Sequence, residues 1–152
     1  MEDYGFTELN EEDRRRLPCR IGDELIYFRH ENAGDFGHEL ELHASGIARS
    51  DVVDGIAEEA QTAYRKCEPE KIKNLARRIL KAIGDLKMKY QRGEGFSETA
   101  IHVNNCDGQS RTIGFNNAAP TPELGELEQE LLHISLEVVR DVKREKIHPL
   151  RS

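Results

Sequence analysis

The stretch from residue 99 to residue 115 constrains the fold of this chain most, because its pattern is typical of a β-hairpin. Asp107 and Gly108 provide the turn, since Asp-Gly is a preferred hairpin loop and glycine adopts a left-handed backbone at little cost. The pattern of an amphipathic helix lies on each side of this stretch in the sequence. We therefore expect the hairpin to organise a small mixed domain.

The register of this hairpin decides which side chains share a face. A strict two-residue loop puts Ile101 and Ile113 on opposite faces, whereas a three-residue loop over residues 106–108 pairs them and adds Phe115 to their face. A shift of one residue turns every side chain to the other face, so only the second register gives one apolar face for helices to cover. The sequence therefore predicts the three-residue loop, with Gly108 left-handed.

Composition limits the classes of protein to consider. With 152 residues the chain is long enough for one domain, and 37% hydrophobic against 34% charged residues predicts a small core. The formal net charge of −7 argues against nucleic acid as a partner, since phosphate binding requires a basic surface. No apolar run approaches the roughly 20 residues of a membrane span, and the first residues lack the features of a signal peptide. We therefore expect an acidic, cytoplasmic protein that does not bind membranes.

Four strands are predicted before the first long helix. Residues 25–28 form a compact apolar run, and residues 38–44 alternate cleanly between apolar and polar side chains. A weaker strand over residues 47–53 follows, and residues 60–66 pair with it as a fourth strand. The alternative is a helix over residues 50–66, because several residues there favour helix.

Two amphipathic helices are predicted from apolar residues that recur every three or four positions. The first begins at Pro69 and extends to about residue 89, and the second follows the cap Thr121, with Pro122 at its first position, and extends to about residue 147. The expected fold is α+β, an antiparallel meander and hairpin sheet with two amphipathic helices packed on one face.

The first twenty residues are expected to be an appendage, because they contain a run of charged residues and few aliphatic side chains. A short helix between residues 7 and 16 is compatible with this composition, with Tyr4, Phe6 and Leu9 attaching it to the body. The expected division is an N-terminal appendage, one α+β domain and a C-terminal tail, at residues 1–20, 21–147 and 148–152.

Catalytic and metal-binding motifs are weak. His133 and Ser135 have the His-x-Ser form of a two-histidine phosphoesterase, but the second motif that such an enzyme needs is incomplete at His102, and His133 lies in a helical pattern. His38 and His43 are five residues apart on a strand and so face opposite sides. The three cysteines, at positions 19, 67 and 106, are widely spaced and predict structural thiols. We expect no catalytic residue, metal site or cofactor.

Two loops are the candidate binding elements. The loops over residues 32–37 and 91–96 each combine glycines with a single phenylalanine, and aromatic anchors on loops are frequent in protein interfaces. The alternative is that both phenylalanines plug the ends of the core. The candidate partner-binding residues are Asn32, Gly34, Asp35, Phe36, Gly37 and Phe96.

The order of these parts resembles that of the emfourin-like metalloprotease inhibitors, a family of small bacterial proteins. The resemblance covers about residues 23–136 and rests on four features. They are the run 25–28 before the loop 33–37, the alternating residues 40–42, residues 64–70 leading into the first helix, and the hairpin followed by residues 119–122. In the family a Gly-Gly-Phe-Ala-Gly-like loop occupies the first place; here Phe36 is kept and Asp35 replaces a small residue. The twenty residues at the front also depart from the family pattern.

The resemblance implies a non-enzymatic protein that binds a protease or another effector through loops at one end of the sheet and blocks it. An immunity or anti-defence protein that neutralises a toxin is the alternative in the same mechanical class. A small-molecule or nucleotide binder is the alternative in a different class, and it would show a deep pocket lined by His102, Arg111 and nearby acids. The identity of the target and the oligomeric state are left open.

Overall fold

The computed structural model describes residues 3–17, 24–33, 35–91 and 97–147, and within them it contains three helices and eight strands. In chain order these are α1 (Glu11–Arg15), β1 (Ile26–Asn32), β2 (Phe36–Leu42), β3 (Ile47–Asp54), β4 (Glu59–Lys66), α2 (Pro69–Ile83), β5 (Lys89–Tyr90), β6 (Ser97–Cys106), β7 (Gln109–Asn116), α3 (Pro122–Val138) and β8 (Glu145–Lys146). All eight strands form one sheet in the order β5-β7-β6-β1-β2-β3-β4-β8. Every pair is antiparallel except β5 with β7.

One face of this sheet carries the core. Ile26, Leu42 and Ala48 are aligned across β1, β2 and β3, Phe28 and Leu40 form the next row, and all five are completely buried. Helix α2 lies against β6 and β7, and α3 lies against β2, β3 and β4. The predicted α+β fold, a meander and hairpin with two helices on one face, is confirmed.

The hairpin has the predicted strand pairing, but its turn differs from the predicted one. Ile101 pairs with Ile113 on the buried face, as expected. The three-residue loop is wrong, because the turn consists of Asp107 and Gly108 alone, with φ of 51° and 79°. A β-bulge on β6 around Asn105, whose φ is 49°, adds the extra residue and shifts the pairing by one position.

The alternative helix over residues 50–66 is wrong. Glu59–Lys66 is a strand that pairs along its whole length with β3. Local helix propensity is weak against tertiary pairing, and the backbone hydrogen bonds to β3 along the whole strand outweigh it here.

Both long helices begin as predicted and end earlier. Pro69 occupies the first turn of α2, and Thr121 caps α3 by accepting a hydrogen bond from the backbone N–H of Leu124 at 3.2 Å. Helix α2 ends at Ile83 because Gly84 takes a φ of 49°, which turns the chain toward β5. The predicted end near residue 89 is therefore wrong.

Helix α3 ends at Val138, not near residue 147 as predicted. The chain turns at Asp141, whose φ is 64°, and then adds β8 to the free edge of β4. The carbonyl of Val142 accepts a hydrogen bond from the Gln61 side-chain amide at 2.6 Å, which holds this segment against the edge strand. The two-residue strands β5 and β8 are too short to produce a sequence signal.

The N-terminal segment is attached to the domain as expected. Tyr4 and Leu9 are buried, and Phe6 stacks on Tyr4 with ring centroids 5.8 Å apart. Thr7 forms an isolated bridge with Lys66 at the edge of β4, and the short helix α1 follows.

None of the described helices is long and apolar enough to cross a membrane.

We expect Leu75→Ala and Ile79→Ala each to lower the free energy of unfolding by about 2–5 kcal/mol, because truncating a buried aliphatic side chain removes contacts and leaves a cavity. Both side chains lie on the face of α2 that covers the sheet and are essentially inaccessible. Chemical denaturation measures the change, and Lys81→Ala on the exposed side of the same helix is the control. Losses below about 1 kcal/mol for both variants would contradict this packing.

Candidate functional site

Most of the candidate binding residues lie at the end of β1, at the start of β2 and in the loop between them. Phe36 is 43% exposed, so the interpretation of this side chain as a plug for the core is wrong. Asn32 and Asp35 are also exposed. Gly34 and Phe96 lie outside the described residues. Ser97, which follows the second predicted loop, pairs with Asn32 at the end of β1.

The β1–β2 loop is joined to the loop between β3 and β4. The backbone N–H of Gly55 donates a hydrogen bond to the carbonyl of Asp35 at 2.5 Å. The carboxylate of Asp54 accepts hydrogen bonds from the backbone N–H groups of Ile56 and Ala57, both at 3.1 Å, which stabilises the second loop. The Ile56 side chain is left 73% exposed. Sequence reasoning missed Ile56, whose one signal is a large aliphatic residue directly after Asp-Gly.

The C-terminal strand adds a third exposed side chain at this end of the sheet. The backbone N–H of Ile147 donates to the carbonyl of Glu58 at 2.8 Å, and its side chain is 40% exposed. Phe36, Ile56 and Ile147 therefore lie on three segments connected by backbone pairing. We call these three residues the apolar tip.

A cleft of about 430 Å³ adjoins the apolar tip. Its lining residues are Arg29, Glu31, Asp35, Phe36, Gly37, His38, Glu39, Asp51, Val53 and Thr62. Three of the predicted binding residues, Asp35, Phe36 and Gly37, are thus brought together in its wall. We call this feature the Gly37 cleft, because a Cβ added to Gly37 would meet only the Cβ of Val53, at 4.0 Å.

Much of the cleft lies on the sheet face that points away from α2 and α3, which we call the polar face. Its charged side chains on β1, β2 and β3 are Arg29, Glu31, Glu39, Glu41, Arg49 and Asp51. Arg49 contacts Glu41 at 2.6 Å and also bonds to Asp51. Burial, and then the negative charge of Glu39, raises the pKa of Tyr27 to about 12, so its hydroxyl stays protonated. Charges on this face are therefore largely arranged in pairs.

A buried polar cluster lies on the opposite face, between the sheet and α3. His38 Nδ1 and Ser135 Oγ are 3.1 Å apart, and Ser50 Oγ lies 2.9 Å from Ser135 Oγ. A serine beside a histidine is the pairing of a nucleophile and its base. Ser50 and Ser135 are both completely buried, however, so the Ser135 hydroxyl cannot reach a substrate in this conformation.

His30 extends this cluster toward Glu128 of α3. His30 Nδ1 lies 2.8 Å from the hydroxyl of Thr99, which donates to Glu128 at 2.5 Å. The rings of His30 and His38 are 6.3 Å apart. Burial, and secondly the charge of His30, lowers the pKa of His38 below its usual range. The cluster connects β1, β2, β3 and β6 to α3 directly behind the β1–β2 loop.

The remaining sequence candidates are dispersed. His133 is exposed on α3, 3.8 Å from Glu137. His102 lies on the polar face, where its Nδ1 is 2.5 Å from the hydroxyl of Thr112. Arg111 lies on the other face and donates to two backbone carbonyls at the end of α2. His102 and Arg111 therefore do not line a common pocket. Within the described residues no group of three or more His, Cys, Asp or Glu side chains is placed to hold a metal ion.

We expect the stability of the protein to fall as the pH drops below about 6.5. His38 takes up a proton there in the unfolded chain but stays neutral in the folded protein, because its pKa is lowered by burial. His38→Gln cannot titrate, so its thermal midpoint should fall less than that of the wild type between about pH 7.5 and pH 5. His133→Gln, on the exposed side of α3, is the control and should behave like the wild type. An equal acid-induced fall in wild type and His38→Gln would contradict this assignment.

Comparison with known proteins adds no relative: no family model, no curated protein and no solved structure matches this chain. The similarity to emfourin-like inhibitors therefore stays a prediction that rests on residues 23–136. The apolar tip and the Gly37 cleft are the features of the described residues from which a function can be inferred.

Proposed function

We propose that this chain is a non-enzymatic protein-binding module that blocks a protease or another effector by docking through the apolar tip. The observation that carries the proposal is the hydrogen bond between Gly55 N–H and the Asp35 carbonyl at 2.5 Å. This bond joins two loops and presents Phe36 and Ile56 at the same end of the sheet.

The exposure of these side chains supports a role in binding. Phe36 and Ile56 are 43% and 73% exposed, although contact between apolar side chains and water is unfavourable. Interfaces obtain most of their affinity from a few large side chains that fill pockets on the partner. Backbone pairing on both sides of the loops lowers the entropy that is lost on binding, so the tip is suited to act as an anchor.

The enzyme interpretation has less support. The Ser135 hydroxyl is the best-placed nucleophile beside a histidine, and it is completely buried. Exposed loops that carry apolar side chains suit insertion into the groove of another protein better than they suit catalysis. The resemblance to emfourin-like proteins favours a protease as the target. An immunity protein that blocks a toxin would use the same tip in the same way.

Phe36→Ala should weaken binding to the partner about thirtyfold or more, since truncating an interface anchor commonly loses about 2 kcal/mol, at 1.4 kcal/mol per factor of ten. Ile56→Ala should weaken it in the same direction. The partner is first captured from a lysate of the source organism and identified by mass spectrometry. Its affinity for each variant is then measured by titration calorimetry with the purified proteins.

Met88→Ala is the matched control, because Met88 is 69% exposed beside β5, at the other edge of the sheet. It should leave the affinity unchanged. The thermal midpoint of Phe36→Ala should change far less than that of Leu75→Ala. If Phe36→Ala and Met88→Ala bind equally well, the apolar tip is not the docking surface.

A further inference from the structure

The outer edge of β4 is covered only at its two ends by the described residues. At one end the N–H of Thr7 donates to the carbonyl of Lys66 at 2.9 Å, and the N–H of Lys66 donates to the carbonyl of Thr7 at 3.0 Å. At the other end the two-residue strand β8 pairs with Glu59 and Ala60. The open edge of a sheet is a template for pairing with another chain, so proteins usually cover it.

The middle of β4 leaves backbone groups open along this edge. Alternate residues of a strand direct their N–H and C=O groups to the same side. Lys66 bonds outward to Thr7, so Thr62 and Tyr64 also direct their backbone groups outward. None of the residues that the structure describes pairs with Thr62 or Tyr64 on that side. The backbone of another strand can therefore be bonded here without breaking any pairing with β3.

The charges along β4 are distributed so that the strand complements itself. Glu58 and Glu59 lie at its beginning, and Arg65 and Lys66 lie at its end. A second copy of β4 that pairs antiparallel about Thr62 brings its basic end to the acidic end of the first. Glu59 then lies opposite Arg65 of the second copy, and Glu58 lies opposite Lys66. Opposite charges across a strand pair are stabilising, so the sequence of this edge favours pairing with itself.

The segments that cover the ends of β4 carry the same charges as such a second copy. Residues 3–17, which we call the N-terminal strap, place the carboxylate of Asp13 2.5 Å from Lys66 Nζ. At the other end, Lys146 Nζ of β8 lies 3.4 Å from the carboxylate of Glu59. An acid therefore covers the basic end and a base covers the acidic end. The two segments occupy the edge as a second β4 would occupy it.

We propose that the edge of β4 is an interface for a second copy of this chain, and that the N-terminal strap and β8 hold it closed. When both segments leave the edge, two β4 strands pair antiparallel about Thr62 and join two sheets into one. The strap is held by a few contacts, among them the buried side chains of Tyr4 and Leu9. Its release is therefore a local event that leaves the core under α2 and α3 in place. This inference does not depend on the partner proposed above.

The opened variant Thr7→Pro/Asp13→Lys/Lys146→Glu tests the proposal in the full chain. Proline removes the N–H that bonds to Lys66, and the two charge reversals repel Lys66 and Glu59. Size-exclusion chromatography with light scattering measures molecular mass over a wide range of protein concentration. We expect the opened variant to form dimers with a dissociation constant at least about tenfold below that of the wild type.

Two matched controls follow the same measurement. Thr7→Ala/Asp13→Glu/Lys146→Arg keeps the N–H group and every charge, so it should behave like the wild type. Thr62→Pro added to the opened variant removes an outward N–H at the centre of the pairing and should return the protein to a monomer. Thr62→Ala in the same background keeps that N–H and should leave the dimer intact.

Amide hydrogen exchange locates the contact, and circular dichroism verifies that each variant is folded. In the opened variant the amides of Thr62 and Tyr64 should become protected as the protein concentration rises. Asp13→Lys alone leaves the backbone pairing of the strap possible, so it should strengthen self-association by a smaller factor. A folded opened variant that associates no more strongly than the wild type would overturn the proposal, and so would dimers that persist with Thr62→Pro.

Discussion

Burial of one apolar sheet face under α2 and α3 is the interaction on which the rest of the structure depends. Ile26, Phe28 and Ile101 of the sheet are completely buried, and Leu75 and Ile79 of the covering helix are essentially inaccessible to water. Burying each such side chain contributes about 1.5–3 kcal/mol to the stability of the fold. A shift of one residue in the register of a strand would turn all of its apolar side chains to the solvent side. The register of the central strands is therefore strongly determined. The polar face and the connecting loops remain for other roles.

The second constraint is the polar cluster where α3 crosses the meander. A buried hydroxyl or imidazole is destabilising unless it is hydrogen-bonded, and the side chains of His38, Ser50 and Ser135 bond to one another. Such directional contacts favour one position of α3 over the many that apolar packing alone would tolerate. The cluster lies behind the β1–β2 loop, so it also supports the strands that present Phe36. A rigid frame of this kind is what an exposed anchor requires to bind without a large loss of entropy.

The apolar tip and the polar face of the sheet differ in chemistry. The apolar tip would provide affinity through desolvation of Phe36 and Ile56, since a few large side chains carry most of the binding energy of an interface. Most carboxylates of the polar face already have an arginine beside them, as Glu41 and Asp51 have Arg49. Glu39 of the Gly37 cleft also lies 3.5 Å from Arg49, and Glu31 binds Arg29, so most charges of the cleft are paired as well.

Local patterns were enough to predict where the two long helices begin and which face of β2 is buried: Pro69 and Thr121 begin those helices, and Leu40 and Leu42 face the core. Helix α2 ends locally, where Gly84 takes a left-handed backbone, whereas the end of α3 and the bulged register of the hairpin at Asp107 depend on pairing with other strands. The apolar tip was decided in the same way. Asp35, Gly55 and Ile147 are far apart in the chain, and they meet only because the strand order places their segments at one end of the sheet. Local patterns carry no information about hydrogen bonds between distant segments, so only the folded structure brings the candidate site together.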